Sequence, residues 1–553
     1  MKRRNFLKKF GTAAAAPLLL NNIPVNSLAS TNVLNRLAAS MDGENDRVLV
    51  LIQLHGGNDG LNTFIPIDQF TEYRRVRQNI AISNTGSRSY IELDTTVSDN
   101  QRIGLHPDMK GLKTLYDEGS AAIIQSVAYE NMNQSHFRSQ DIWHMGGDYD
   151  DYLGSGWMGR YLDNLYPGYP EDYPSEDMPD PLGLEIGNSV SLAFHRAEGI
   201  PTAISVQNPE QFYNLITNVG VNPPESIENT LYGKELKWII DIEEKSNQYA
   251  GRLKDLFEEG KKAPSATYPE TYNQPVSAER NKTNSLAAQL KVVANLIKGG
   301  SKTKIYLVRL GGFDTHANQV DPFTNTSLGN HAVLLYYLSE TIKVFIEDLK
   351  IKGVSNRVMG ATFSEFGRRV ASNGSYGTDH GSATPMIVFG ENTLPGIHGT
   401  NPDLSDLEGG NIKQQFDYRQ VFTSLLKDWM CASDEAIQQT LFSDFVENRL
   451  PIVGNGVGIT DSFNANSTSI LESPWPNPTV DFITYSYNIA RASEINLSLW
   501  SSSGQKIKDL VNEYQLPGNY TISDNLDQLP KGAYILRLTT NRGIETAKKI
   551  IKS

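Results

Sequence analysis

Short runs of consecutive apolar residues recur along most of the chain, at 48–54, 121–127, 305–310, 358–363 and 385–389. A continuous apolar run of this length predicts a strand that is buried on both faces. Between some of these runs, apolar residues return at helical spacing, as they do over 286–297 and 334–349. Strands that alternate with amphipathic helices predict an α/β domain, with a mostly parallel sheet and helices on both faces. We place this domain at residues 45–450.

The pattern changes after residue 450. Residues 451–473 are rich in Gly, Asn, Ser and Thr, which predicts a flexible linker. Beyond the linker, Ile483, Tyr485 and Tyr487 alternate with polar residues, and similar short runs follow. Short alternating runs separated by turn residues predict a C-terminal all-β sandwich over 474–553.

The N-terminus has the pattern of an export signal. Arg3 and Arg4 precede further basic residues and a short apolar run at 13–20. This pattern predicts a twin-arginine signal peptide over 1–30 and hence the twin-arginine translocase as a partner. The run is shorter than the ~20 residues of a membrane span, and no other segment predicts one. The alternative is a frayed basic terminus.

Composition narrows the function further. The chain has 553 residues, enough for two or three domains, and its formal charge is 50 − 63 = −13. Without a basic stripe, a nucleic-acid partner is not expected, because such proteins neutralise phosphates with clustered Lys and Arg. Cys431 is the single cysteine, so the sequence predicts no intrachain disulfide and no Cys-based metal site.

Acidic and histidine residues follow the predicted strands in glycine-flanked loops: Asp59, Asp314, His316, Glu365, Asp379 and His380. Ligands of open α/β sheets bind beyond the carboxyl ends of strands, where these loops are expected to converge. Crowded carboxylates repel one another unless a cation neutralises them. The mixture of carboxylates and two imidazoles suits a divalent metal, either Zn, Mn, Mg or Ca. For each Asp taken alone, the alternative is a helix cap or a turn former.

A second group of candidates follows the run at 121–127. Ser135 is expected to open a helix, where the helix dipole and a nearby metal would lower its pKa and make it a nucleophile. His136 and Arg138 are candidates to bind an oxyanion, because Arg offers bidentate geometry for phosphate or sulfate. The alternative for Ser135 is a simple N-cap.

From Val48 to Asn448 the chain resembles the family known as the domain of unknown function DUF1501. The resemblance rests on three motifs, which are Leu54-His55-Gly56-Gly57-Asn58-Asp59-Gly60-Leu61-Asn62, Gly312-Phe313-Asp314-Thr315-His316-Ala317-Asn318, and Ser364-Glu365-Phe366-Gly367-Arg368 followed by Gly377-Thr378-Asp379-His380-Gly381. That family looks distantly related to alkaline phosphatases, sulfatases and cofactor-independent phosphoglycerate mutases. The resemblance implies two metals, bound by Asp and His, that activate a nucleophile and clamp a phosphate or sulfate.

The resemblance also implies roles for single residues. Asp59 is similar to the first ligand, and Asp314 with His316 to an Asp-His pair, although the usual gap is four residues. Glu365 and Phe366 stand where an Asp and a His are usual, and His380 fits the final His. In the alternative register, Asp379 and His380 form the Asp-His pair and His398 is the last ligand. Phe366 in place of His predicts one metal or an altered second site.

The C-terminal segment resembles the type A sorting domain of the Bacteroidetes type IX secretion system. The matching features are Trp475-Pro476-Asn477-Pro478, Ser503-Gly504-Gln505, Pro517-Gly518, Leu529-Pro530-Lys531-Gly532-Ala533-Tyr534 and Lys548-Lys549-Ile550-Ile551-Lys552. The resemblance implies the type IX machinery as a partner, and release or surface attachment after crossing the outer membrane. The alternative is a carbohydrate-binding or adhesive sandwich.

Together these observations predict an exported metal-dependent hydrolase whose substrate is an anionic phosphate or sulfate ester. The rival hypothesis is a non-catalytic surface binding or assembly protein that retains a degenerate hydrolase scaffold. Phe366 and the shortened Asp-x-His spacing favour this rival. Fold alone does not decide between them.

Overall fold

The computed structural model describes residues 45–170, 172–218, 248–272, 274, 283–454, 474–489, 493–501, 505–515, 518–540 and 545–553. It also describes three pieces of two residues each, 19–20, 23–24 and 470–471. Most of the predicted signal peptide and of the predicted linker therefore lies outside the described residues. No helix in the described ranges is both long and apolar enough to cross a membrane.

A sheet of nine strands forms the centre of the first part of the chain. Its strands are β1 (Val48–His55), β2 (Ala121–Ala128), β3 (Gly183–Glu185), β4 (Ala203–Ser205), β5 (Ile305–Gly311), β6 (Val358–Phe363), β7 (Thr384–Phe389), β8 (Gly396–His398) and β9 (Phe416–Asp417). They lie in the order β8-β2-β7-β6-β1-β5-β3-β4, with β9 also beside β2. All pairings are parallel except those of β7, which runs antiparallel to β6 and β2. All five predicted runs form strands, and the mostly parallel sheet is confirmed.

Side chains of β1 alternate between two hydrophobic cores. Val48, Val50 and Ile52 pack into a core with the helices Ser285–Lys298 and Asn330–Ile351. Leu49 and Leu51 pack into the opposite core. Because a strand points successive side chains to opposite faces, a fully apolar run is buried only if both faces are covered. The predicted helices on both faces are confirmed.

Further α-helices lie along the first part of the chain. They are Gly60–Thr63, Phe70–Val76, Lys110–Asp117, His136–Met145, Trp157–Leu165, Pro209–Asn218, 248–261, Tyr418–Ser424 and Asp434–Thr440. A separate antiparallel sheet of three short strands comprises Phe64–Pro66, Ile91–Glu92 and Ile103–Leu105.

The C-terminal part consists of two antiparallel sheets around their own core. One sheet contains Ile470–Leu471, Phe482–Ile489 and Gly518–Asn525. The other contains Ser493–Ser501, Lys506–Gln515, Gly532–Thr540 and Glu545–Lys552. Inward-facing residues of both sheets, such as Tyr485 and Leu497, share one buried cluster. The predicted all-β sandwich is confirmed. The chain is thus divided into two compact units, 1–458 and 459–553.

Candidate metal centre

Four chain segments bring polar side chains to one edge of the central sheet. Parallel strands β1, β5 and β6 end at this edge, and the loops that follow them begin there. Because β7 is reversed, the loop 364–383 leaves the end of β6 and returns to the same edge. After β2, which also ends at this edge, the chain enters the helix that begins at His136. The predicted convergence of loops therefore has a topological cause.

Asp314 lies in the middle of the resulting cluster. Its Oδ1 is 3.2 Å from His316 Nε2 and 3.2 Å from His380 Nε2. Its Oδ2 is 3.5 Å from Nε2 of a third imidazole, His136. Arg368 Nη2 donates to Oδ1 at 2.6 Å. The Asp314 side chain is about half exposed, so the cluster is open to solvent on one side.

Each of the three imidazoles has an oxygen acceptor at its other nitrogen. His136 Nδ1 lies 2.9 Å from Glu365 Oε1, His316 Nδ1 lies 3.3 Å from Asp379 Oδ1, and His380 Nδ1 lies 2.8 Å from the carbonyl oxygen of Gln134. Carboxylate and carbonyl oxygens only accept hydrogen bonds, so a proton on Nδ1 of each ring would satisfy these partners. The neutral tautomer with that proton leaves Nε2, which faces Asp314, with a lone pair for a cation. Metal-binding histidines are commonly oriented by such a partner at the second nitrogen.

The donor atoms fit a divalent cation. His316 Nε2 and His380 Nε2 are 2.9 Å apart, and each is 3.2 Å from the same Asp314 oxygen. Lone pairs at this distance repel unless a proton or a cation lies among them. Bonds of about 2.1 Å at tetrahedral angles separate ligand atoms by about 3.4 Å, close to the spacing found here. Ligand atoms of His136, Asp314 and His380 also lie within 4.8 Å of one another.

Charges and burial favour the ligand forms of Asp314 and His380 but not that of His136. Burial raises the pKa of Asp314, but the hydrogen bond and the charge of Arg368 outweigh it, so the net pKa is below the ordinary value. Burial lowers the pKa of His380, which favours the neutral imidazole that metals require. The hydrogen bond to Glu365 raises the pKa of His136. The negative charge is therefore retained, and a cation would compete with a proton for His136.

Glu365 is fully buried beneath the cluster. Its Oε1 accepts a hydrogen bond from the Gly56 amide at 2.7 Å and lies 3.4 Å from His55 Nδ1. Burial raises the pKa of Glu365, but the hydrogen bond with His136 and the nearby His55 imidazole outweigh it and lower that pKa to about 2. Glu365 is consequently an ionised carboxylate that orients His136.

Asp59 has a different environment from the other predicted ligands. Its Oδ2 accepts from Arg77 Nη1 at 2.6 Å and from Gln319 Nε2 at 2.5 Å, and only 1% of the residue is exposed. Burial raises the pKa of Asp59, but the charge and hydrogen bond of Arg77 outweigh it, so the net pKa is lowered. The structure thus brings Asp314, His316, Glu365, Asp379 and His380 together with His136. Asp59 Oδ2 is paired with Arg77, whereas Asp59 Oδ1 is buried without a hydrogen-bond partner among the described residues.

The predicted nucleophile Ser135 and the predicted oxyanion residues His136 and Arg138 have different surroundings. Ser135 precedes the helix, is exposed and makes no side-chain capping bond. His136 lies among the predicted metal ligands, with its Nε2 facing Asp314. Arg138 donates to the carbonyl oxygens of Tyr149 and Asp151, and its guanidinium lies 3.9 Å from the centre of the Tyr152 ring. These contacts hold Arg138 against the 149–152 loop.

Two further residues of the site were not assigned a role from the sequence. His55 is the last residue of β1, and its position at a strand end was an available signal. Arg368 is buried and donates to Asp314 and to the carbonyl oxygens of Gly57 and Thr378. The Phe366 ring packs against two of the imidazoles, those of His136 and His380, at 4.8 and 4.5 Å between ring centres.

Two families match the sequence. Residues 259–429 match the family described as "Protein of unknown function (DUF1501)". Residues 473–553 match the "Secretion system C-terminal sorting domain". The second match indicates export of the protein by the type IX system, to the cell surface or the medium.

Solved structures give only a distant likeness. Ps i-CgsB in complex with k-i-k-neocarrahexaose is 11% identical, covers 74% of this chain and 78% of its own, and has a TM-score of 0.33. An alkaline phosphatase superfamily protein from Vibrio parahaemolyticus is 9% identical, covers 86% and 78%, and has a TM-score of 0.29. The PsFucS1 sulfatase from Pseudoalteromonas sp. is 10% identical, covers 92% and 88%, and also has a TM-score of 0.29. No curated protein matches the sequence.

Proposed function

For this chain, which carries a DUF1501 region and a type IX sorting domain, we propose the function of an exported metal-dependent hydrolase of phosphate or sulfate esters. One observation carries the proposal. The Nε2 atoms of His136, His316 and His380 face the Asp314 carboxylate, and each ring has its Nδ1 held by an oxygen. An arrangement of three oriented imidazoles and one carboxylate matches the requirements of a bound divalent cation.

The proposed ligands are His136, Asp314, His316 and His380. Glu365 and Asp379 orient two of the rings, and we assign them to that role rather than to direct ligation. A divalent cation there would neutralise negative charge on the transferring group and make it more electrophilic. Zn is favoured by the three imidazole nitrogens, and Mn remains compatible with them.

Ser135 is the proposed nucleophile. Its hydroxyl is exposed, makes no capping bond and is adjacent in sequence to the ligand His136. Its hydroxyl oxygen would form a bond to phosphorus or sulfur as the bond to the ester oxygen breaks, and the hydroxyl proton would leave with the alcohol. Water would then hydrolyse the serine ester, which releases phosphate or sulfate and restores the hydroxyl. Arg138 is held by the 149–152 loop, so we do not propose it as a contact of the substrate anion. We propose that the anion instead contacts residues of the histidine cluster.

The experiment measures metal content and hydrolysis on the same preparation of the secreted protein. Elemental analysis should find about one divalent ion per chain, and a screen of aryl phosphates and aryl sulfates should find turnover of one class. Asp314→Asn should lose both the ion and the turnover. Asp99→Asn is the matched control, because Asp99 is exposed and distant in sequence from every ligand. Turnover that persists in Asp314→Asn would contradict the proposal.

A second candidate function is binding without catalysis. It is favoured by Phe366, which fills a space between two imidazoles, and by Arg368, whose guanidinium occupies the Asp314 oxygen that a metal would use. A protein that binds its ion tightly but turns over neither ester class would support this rival. Ser135→Ala separates the two further, because only the hydrolase needs the hydroxyl.

A further inference from the structure

The loops that carry the metal ligands are joined behind the site by one buried side chain, Gln319. It is 0% exposed. Its Oε1 accepts hydrogen bonds from Thr315 Oγ1 at 3.0 Å and from Thr378 Oγ1 at 2.9 Å. Its Nε2 donates to Asp59 Oδ2 at 2.5 Å. The amide therefore uses both ends and can satisfy these partners in only one orientation.

The two threonines adjoin the ligands in sequence. Thr315 lies between Asp314 and His316, and Thr378 comes just before Asp379 and His380. A shift of either hydroxyl would move the neighbouring ligand atoms. One amide oxygen therefore holds the loop of Asp314 and His316 at a fixed separation from the loop of His380.

Backbone contacts show that these two loops are packed as closely as the chain allows. The Thr378 amide donates to the Thr315 carbonyl oxygen at 3.2 Å. At Gly377, a Cβ atom would lie 2.3 Å from the same oxygen. Such an approach permits glycine only, so the loop separation is set by this contact together with Gln319.

The loop after β1 is joined to this network by the buried pair of Asp59 and Arg77. Arg77 donates to the carbonyl oxygens of Val370 and Arg369 at 2.8 and 2.9 Å. These residues follow Arg368, the partner of Asp314. Asp59 thus connects Arg77 on one side with Gln319 on the other, and all three loops are fixed to one buried network.

We propose that Gln319 is a positioning residue of the metal centre, which sets the cation affinity without touching the ion. This inference rests on the proposed function, because it requires that the histidine cluster binds a cation. It assigns Asp59 to the same positioning network, in place of the ligand role that the sequence predicted for it.

The test uses Co²⁺ titrated into the metal-free full-length protein, with visible absorption as the readout of affinity and ligand arrangement. Thr315→Val and Thr378→Val each remove one hydroxyl with little change in shape. Each should weaken Co²⁺ binding about tenfold and alter the absorption spectrum, the size of effect seen when outer-shell partners are removed. Gln319→Met should weaken binding at least as much, and Thr315→Val should add nothing further in that background.

Thr303→Val is the matched control. Thr303 is equally buried and donates to the Pro181 carbonyl oxygen at 2.8 Å, just before β5 at the opposite edge of the sheet. It should lose thermal stability but keep the wild-type affinity and spectrum. If the Thr315 and Thr378 variants behave like this control, the positioning role is wrong although the metal site stands. If the wild-type protein binds no Co²⁺, the metal proposal itself is wrong, and this inference falls with it.

Discussion

The loops after β1 and β5 look alike in sequence but form different chemical environments. Each follows a buried strand, is flanked by glycine and carries one aspartate. Asp59 turns inward, is neutralised by Arg77 and is 1% exposed. Asp314 stays half exposed among three imidazoles. A strand end places a carboxylate at the edge of the sheet, but its partners decide whether it stabilises the fold or binds a ligand.

The largest effect is expected for Arg77→Met, which removes the positive charge beside Asp59. The variant leaves the Asp59 carboxylate buried without its counter-charge, which typically costs about 3–5 kcal/mol of folding free energy. Denaturant unfolding of the variant and the wild type measures the difference. Adding Asp59→Asn to Arg77→Met should recover part of the loss. A loss below about 1 kcal/mol, the range of exposed pairs, would mean that the pair is not buried in solution.

Glu365 combines features of the two aspartates, because it is buried like Asp59 and contacts imidazoles like Asp314. Its pKa falls from 4.5 to about 2 on folding. A lowered pKa stabilises the folded state above the unfolded value, and this stabilisation is lost as pH falls through the folded value. We expect a loss of about 3 kcal/mol between pH 4.5 and 2, measured in the presence of chelator. In Glu365→Gln that part of the pH dependence should be missing. An identical pH profile in both proteins would exclude Glu365 as its source.

If the proposed cation is bound, its removal should affect Asp314 and leave Asp59 unaffected. A ligand that binds the folded state alone stabilises it by about 2.7 kcal/mol when its free concentration is 100 times its Kd. Chelator should therefore lower the melting temperature of the wild-type protein and leave that of Asp314→Asn unchanged. An equal response of the two proteins would show that the chelated ion binds elsewhere.

The smallest change in folding free energy is expected for Asp314→Asn in the absence of metal. Its side chain is about half exposed, and Asn keeps an oxygen acceptor for Arg368. Arg368 is buried, but it also donates to the carbonyl oxygens of Gly57 and Thr378, so we expect a loss of about 2 kcal/mol or less by denaturant unfolding. A much larger loss would mean that Asp314, like Asp59, serves chiefly to neutralise a buried arginine.

Much of the fold could be predicted because the burial of a strand determines the pattern of apolar residues in its own sequence. A strand covered on both faces must be apolar throughout, and all five runs of this kind form strands. The reversed direction of β7 could not be predicted, since an apolar strand has the same sequence pattern in either direction. The sandwich was equally predictable from alternation at Ile483, Tyr485 and Tyr487.

The site was predictable only as far as it depends on strand ends. Asp314, His316, Glu365, Asp379 and His380 follow strands or precede one, and the topology gathers them. Arg77 ends a short helix outside every motif, and its pairing with Asp59 follows from tertiary packing alone. Whether His136 contacts an oxyanion or binds a metal likewise depends on where its helix lies in the fold. Neither can be read from spacing in the sequence.

The reversed direction of β7 returns the loop 364–383 to the edge of the sheet that it left, so both ends of the loop are fixed by hydrogen-bonded neighbours. This one segment supplies Glu365, Arg368, Asp379 and His380. A single insertion or deletion within the loop would therefore displace a carboxylate, an arginine and an imidazole of the site together, along with the contacts of Arg77 and Gln319.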